Sequence, residues 1–168
     1  YMVCTKSPLT GMIACSNSGG IWGAKLKYAG WDAIIEEGEA PDWTYINIVD
    51  DKIELLDARE YCGVMSEEMD EKLRAKHGAE ASVLNIGPAG EKKVLLAAIM
   101  NDKDRAAGRS GVGAVMGSKK LKAIVVKATR KKLDNIADLD ALKVAAKNAM
   151  DVLKANPVTG SGLRQLGT

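Results

Sequence analysis

Apolar positions along the chain change period several times, and each change marks an element. Residues 1–6 read as a strand that enters a Pro/Gly turn at 7–11, and residues 12–15 form a short apolar run consistent with another strand. Asn17-Ser18-Gly19-Gly20 follows. Asn17 or Ser18 can cap a helix over residues 21–28, with Gly30 as its C-terminal glycine. Residues 31–36, 44–49 and 52–56 alternate or run apolar with β-branched side chains, and turn signals lie at Gly38, Pro41 and Asp50-Asp51. Three strands are predicted there, the last two a hairpin. Residues 66–76 predict a charged helix, with Glu67, Glu68 and Glu71 early and Lys72, Arg74 and Lys76 late, as the helix dipole prefers. Residues 81–86 predict a further strand and 94–100 a further apolar segment. After a loop rich in Arg and Gly comes a short helix of small residues, then an apolar strand over 121–127. Residues 138–154 space Leu139, Leu142, Ala145, Ala146, Ala149 and Val152-Leu153 as an amphipathic helix does, and the tail beyond Asn156-Pro157 reads as loop. The basic run Arg130-Lys131-Lys132 marks a boundary, giving domains over 1–132 and 133–168. The predicted class is α+β, with mixed sheets and short helices followed by an amphipathic helix.

Composition narrows the function by exclusion. At 168 residues the chain can bury a substantial core, and 24 basic against 22 acidic residues leave a net charge of +2. That balance gives no argument for nucleic acid or an anionic membrane as partner, and 4% aromatic content counts against base stacking. No apolar run approaches the roughly 20 residues that span a bilayer, and no signal peptide is seen. The chain begins at Tyr1 and reads as a piece of a longer polypeptide. Cys4, Cys15 and Cys62 form no C-x-x-C pair, so neither a disulfide framework nor a complete thiolate metal site is encoded; they read as thiols in a reducing cytosol. The single histidine, His77, reads as a cap and dipole partner at a helix end rather than a metal ligand. Trp22, Trp31 and Trp43 read as packing anchors.

Residues 101–127 carry the candidate chemistry. A helix N-terminus leaves backbone N–H groups unpaired and partly positive, so it suits an anion. Gly108, Gly111 and Gly113 would let backbone approach a ligand, and Arg105 and Arg109 add two fork-shaped charges for phosphate oxygens. The Asn17–Gly20 stretch ahead of the first helix encodes a second loop-to-helix anion site. A P-loop is excluded, because five residues separate Gly111 from Gly117 and the order continues Ser118-Lys119. Gly111, Gly113 and Gly117 are also a weak dinucleotide fingerprint, since the spacing is G-x-G-x-x-x-G and no acidic residue ends the next strand; a nucleotide-binding dehydrogenase would bind NAD(P) there.

Several blocks in order carry a more specific resemblance: K-S-P-L-T-G at 6–11, S-N-S-G-G at 16–20, K-Y-A-G-W-D at 27–32, I-G-P-A-G-E at 86–91, A-A-I-M-N-D at 97–102, and R-A-A-G-R-S-G-V-G-A-V-M-G-S-K-K-L-K-A-I-V-V at 105–126. Together they closely resemble the N-terminal domain of the tungsten-containing aldehyde:ferredoxin oxidoreductase family, and the resemblance covers essentially the whole chain, with residues 133–168 resembling the start of the family's following helical domain. It implies an enzyme that oxidises aldehydes to carboxylic acids at a bis-pterin tungsten centre, or molybdenum in relatives. Electrons would leave through an iron–sulfur cluster to ferredoxin. It also implies that the Asn17 side chain and the Ala106 carbonyl help hold a magnesium ion bridging the pterin phosphates, with Gly19, Arg105 and Gly108 as neighbouring contacts; Arg109 joins this cofactor-binding set on its charge. Hard oxygen donors suit magnesium.

The resemblance further implies a cytoplasmic protein whose remaining domains are its partners, with no nucleic acid or membrane partner and homo-oligomerisation left open. The family's cysteine cluster and metal-proximal acidic and histidine residues would lie downstream of Thr168, and a cluster-to-pterin arginine just before Tyr1. The piece alone is expected to be inactive and, with open sheet edges, prone to self-association. Within the match, Ser110 stands where glycine is usual, Lys120 where asparagine is usual, and Tyr61-Cys62-Gly63 where Leu/Ile-Trp-Gly is common. The alternative is a truncated, non-catalytic remnant or cofactor-binding module.

Overall fold

A computed structural model describes residues 1–130 and 136–167, in two compact units, Tyr1–Lys132 and Leu133–Thr168. In the first unit, β1 (Met2–Lys6) and β2 (Ile13–Asn17) form an antiparallel hairpin. Helix α1 (Trp22–Tyr28) follows, then β3 (Thr44–Val49), β4 (Lys52–Asp57), α2 (Ser66–His77) and β5 (Ser82–Asn85). The short α3 (Pro88–Glu91) leads to β6 (Ile99–Asn101), β7 (Arg105–Ala107), α4 (Val112–Ser118) and β8 (Leu121–Lys127). One six-stranded sheet is ordered β4-β3-β8-β5-β6-β7, with β3 and β8 parallel and the other pairs antiparallel. The α+β class with a mixed sheet is therefore the observed one.

The sheet lies between two apolar clusters, and strand periodicity explains why. In β8, Ile124 and Val126 face the cluster that holds Trp22, Leu26, Val112 and Met116, while Ala123 and Val125 face the one that holds Met69, Leu73 and Tyr61. Helices α1 and α4 thus cover one face and α2 the other. A strand covered on both faces reads as a continuous apolar run, as β8 does. Its exception is Lys122, 0% exposed, whose ammonium donates to the Ile86 carbonyl at 2.6 Å and pairs with Glu91 at 2.5 Å. A buried cation survives there because its donors are all used.

Several expected elements differ. Residues 31–36 form no strand: Ile35 is exposed, Trp31 donates its indole N–H to the Asp50 carbonyl, and no described strand pairs with this stretch. Within 94–100 only the end joins a strand; Val94, Leu95 and Leu96 are exposed. Arg105 and Ala106 are not in an open loop but in β7, paired with β6. His77 ends α2 as expected, yet its ring meets the Tyr45 hydroxyl at 3.1 Å, and burial pulls its pKa down, so it is a packing partner rather than a charged dipole partner.

In the second unit, α5 spans Leu139–Ala155, with the Asp138 carboxylate accepting the Asp140 and Ala141 N–H groups as its cap. The tail is not loop: a π-type turn, Val158–Gly162, leads into α6 (Leu163–Leu166), seeded by Asn156 accepting the Val158 N–H. Of the predicted boundary run Arg130-Lys131-Lys132, the two lysines lie outside the described residues.

Candidate functional site

The two stretches singled out in the sequence come together, and the residue that joins them is Asp102. It sits in the tight β6–β7 connection, where Asp102 and Lys103 both take positive φ, 47° and 69°. Its Oδ2 accepts the backbone N–H of Ile21 at 2.6 Å and of Trp22 at 3.1 Å, and its Oδ1 accepts the Ser82 hydroxyl at 2.5 Å. Asn101, 0% exposed, accepts the Ser18 hydroxyl at 2.6 Å and donates to the Gly19 carbonyl at 3.0 Å. Burial pushes the Asp102 carboxyl up, but the hydrogen bonds from Ser82, Ile21, Asn101 and Trp22 outweigh it and hold the group below the usual carboxylate range. The next tie is made by Ser16, whose buried hydroxyl accepts the Arg109 N–H at 3.1 Å. The β2–α1 loop is thereby fixed against the end of β6 and the β6–β7 connection, and β2 against the loop that follows β7.

This arrangement corrects the expectation of two helix-terminal anion sites. The first turn of α1 is capped neither by Asn17 nor by Ser18 but by the Asp102 carboxylate, which takes the place an external anion would have. The first turn of α4 is buried: Val112, Gly113 and Ala114 are covered, and the Gly113 N–H goes to the Ala97 carbonyl at 2.9 Å. Its glycines serve protein packing. A Cβ at Gly111 would strike the Leu95 carbonyl, one at Gly113 the Ala98 carbonyl, and one at Gly117 the Gly90 carbonyl. No dinucleotide fits against that face.

What remains open lies beside those helix ends. Asn17 closes β2 on the exposed face of the hairpin; Gly19, Arg105, Ala106, Gly108 and Arg109 are exposed as well. A Cβ at Gly19 would meet nothing within 4 Å, and one at Gly108 only the Ala106 methyl at 4.0 Å. A Cβ at neighbouring Gly20 would come within 3.2 Å of the Arg105 side chain, which places that side chain beside the Asn17–Gly20 loop. Among the described residues, nothing occupies the Asn17 amide or the Arg105 and Arg109 guanidiniums.

Within the described residues, therefore, the set is an unpartnered side-chain amide at Asn17 and two unpaired guanidiniums, with two glycines that have space above them. It fits a magnesium–phosphate group, because hard oxygens suit the ion and guanidiniums suit phosphate. Among the described residues no group of three or more His, Cys, Asp or Glu is placed to hold a metal. Two open apolar grooves, of about 850 and 770 Å³, are lined by other residues.

Sequence reasoning named the exposed residues but missed Asp102, Asn101, Ser82 and Ser16. A signal existed in Asn101-Asp102, a polar pair directly after an apolar run. Its meaning depended on a contact across some eighty residues, which no local pattern encodes.

Comparison with known proteins gives consistent matches. A family model described as "Aldehyde ferredoxin oxidoreductase, N-terminal domain" matches residues 1–128. A tungsten-containing aldehyde ferredoxin oxidoreductase of Pyrococcus abyssi is 49% identical over 169 residues, covering 100% of this chain and 28% of that protein. An aliphatic sulfonate oxidoreductase, WOR-like subunit, of Pyrococcus furiosus is 36% identical over 155 residues, 84% of this chain and 25% of that one. In the solved active site complex BamBC of benzoyl coenzyme A reductase with 1,5-dienoyl-CoA, one chain superposes with a TM-score of 0.86 at 38% identity, covering 91% of this chain and 23% of that one. The chain spans between a fifth and a third of the length of each relative.

Proposed function

The chain belongs to the aldehyde ferredoxin oxidoreductase family through its N-terminal domain, and on that premise we propose that it forms the base on which a phosphate-bearing pterin cofactor is seated. Asn17, through its amide oxygen, and Ala106, through its carbonyl, would share a magnesium ion with the cofactor phosphates. Arg105 and Arg109 would neutralise those phosphates with charge-assisted hydrogen bonds. Gly19 and Gly108 would admit them, since neither carries a side chain to keep a phosphate at a distance. When bound, the tungsten of such a cofactor supplies the redox chemistry of aldehyde oxidation.

The rest of that reading belongs to the whole protein. We propose that the parent oxidises an aldehyde to a carboxylic acid and passes electrons through an iron–sulfur cluster to ferredoxin, with other domains supplying the cluster and the walls of the cofactor site. Residues 1–132 would be the cofactor-bearing domain and 133–168 the start of the next. No helix among the described residues is long and apolar enough to cross a membrane.

The observation that carries the reading is the pairing of rigidity with vacancy of partners. Asp102 and Asn101 lock two distant loops together, yet the Asn17 amide and the Arg105 and Arg109 guanidiniums have nothing to bind within the described residues. Its test is cofactor retention by the protein that carries this chain, followed as the fluorescence of oxidised pterin after gel filtration. Arg105→Ala with Arg109→Ala should strip most of the pterin and abolish aldehyde-dependent dye reduction while leaving the melting temperature unchanged. Full pterin retention in that double variant would overturn the assignment.

A further inference from the structure

The exposed face of the β1–β2 hairpin carries a second feature that the cofactor reading does not use. Cys4 and Cys15 are register partners across the hairpin, both exposed, with their sulfurs 3.7 Å apart. The hydrogen-bond alternation of the hairpin tells which kind of pair they form. Tyr1 and Ser18 exchange both backbone bonds, at 2.9 and 3.0 Å, and Ser7 donates to Met12 at 2.8 Å. In an antiparallel ladder bonded and non-bonded pairs alternate, so Val3–Ser16 and Thr5–Ala14 are bonded pairs and Cys4–Cys15 is a non-bonded pair. That is the register in which opposed Cα atoms approach to about 4.5 Å, inside the range a disulfide requires. Inward neighbours Val3, Ala14 and Ser16 anchor the hairpin, so the two thiols cannot drift out of register.

We propose that Cys4 and Cys15 form a reversible dithiol–disulfide couple that exchanges with low-molecular-weight disulfides. One thiolate attacks a sulfur of the small disulfide, forming a mixed disulfide and expelling one small thiolate. The second cysteine then attacks the protein sulfur of that mixed disulfide, closing the Cys4–Cys15 bond and expelling the second small thiolate. Two protein thiols are oxidised, one small disulfide is reduced to two thiols, and the two protein protons end on the expelled thiolates. The neighbouring Cys15 sulfur holds the Cys4 thiol above its ordinary pKa, so exchange speeds up as pH rises. Asn17 lies two residues beyond Cys15 on the same exposed face, so oxidation would stiffen the strand that presents it. The couple itself does not depend on the cofactor assignment.

Cys62 is the internal control. It is exposed but faces no second thiol, its Sγ lying 3.8 Å from the Ala58 carbonyl. The protein that carries this chain is reduced, desalted without oxygen, incubated with oxidised glutathione, alkylated, and cleaved with trypsin, which cuts after Lys6 and so separates the two cysteines. The expected result is a linked peptide pair containing Cys4 and Cys15, released by dithiothreitol, while Cys62 is alkylated or carries one glutathione. Cys15→Ser should convert Cys4 to a simple glutathione adduct with no change in melting temperature, and Cys4→Ser should do the same to Cys15. Recovery of Cys4 and Cys15 in separate peptides, both alkylated or both glutathionylated in the unsubstituted protein, would overturn the proposal.

Discussion

Two sets of glycines in this molecule look alike in sequence and do opposite work. Gly111, Gly113 and Gly117 have no room for a Cβ, because the carbonyls of Leu95, Ala98 and Gly90 lie against them; Gly19 and Gly108 have open space. The first set lets α4 close onto α3 and the segment between α3 and β6. The second set leaves surface clear beside Asn17 and Arg105. The difference teaches that a glycine-rich motif next to a helix is not by itself a ligand site: the same residue type serves backbone packing on one side of the loop and leaves open surface on the other.

The sharpest way to break the comparison is to add one methyl to each set. Gly117→Ala should destabilise by about 3 kcal/mol or more, as overpacking against backbone that cannot yield. Gly19→Ala should change stability by less than about 0.5 kcal/mol and act on cofactor retention instead. Thermal denaturation of both variants checks the pair.

The next effect concerns the tie between the two regions. Asp102→Ala leaves the Ile21 and Trp22 N–H groups and the Ser82 hydroxyl without their acceptor, so a loss of about 2–3 kcal/mol is expected. The pH dependence has a definite sign. The folded Asp102 carboxyl lies below its unfolded value, so its stabilisation is fully present above the ordinary carboxylate pKa and is lost as pH falls through the folded one. Stability measured by urea midpoint from pH 7 down to acid should therefore fall less steeply in Asp102→Asn than in the unsubstituted protein.

Arg105→Ala should leave stability within about 0.5 kcal/mol while weakening phosphate-dependent cofactor binding roughly tenfold or more, the usual worth of one charge-assisted hydrogen bond. The smallest effect is at Ser110. It takes φ 65°, and Lys120 takes 54°, left-handed conformations that glycine or asparagine adopt with less strain. Ser110→Gly should stabilise by about 0.5 kcal/mol, read as a small rise in melting temperature.

Much of the fold was legible because its signals are local. The β3–β4 hairpin announced itself through alternation and Asp50-Asp51, α2 through its charge gradient, and β8 through an unbroken apolar run. Residues 31–36 misled because alternation does not ensure a sheet edge to pair with. The tail misled because its helical turns are seeded by Asn156, a residue as common in loops. For the site, the exposed residues followed from the family resemblance, whereas the locking residues did not. Asp102 was legible only as an acidic residue in a turn, and its role as cap of α1 exists only once β6 is laid beside that helix. The thiol pair was hidden for the same reason: Cys4 and Cys15 are eleven positions apart, and only the register of the hairpin makes them neighbours.

The central claim is that the open glycines and free cations beside the locked loops seat a metal-bearing, phosphate-carrying cofactor. Elemental analysis of the purified protein that carries this chain, alongside its Asn17→Ala, Arg105→Ala double variant, tests that claim most directly. The account predicts tungsten or molybdenum together with magnesium and phosphorus in the unsubstituted protein, and loss of all of them in the variant at unchanged melting temperature. Absence of both heavy metals from the unsubstituted protein, or equal content in the variant, would contradict it.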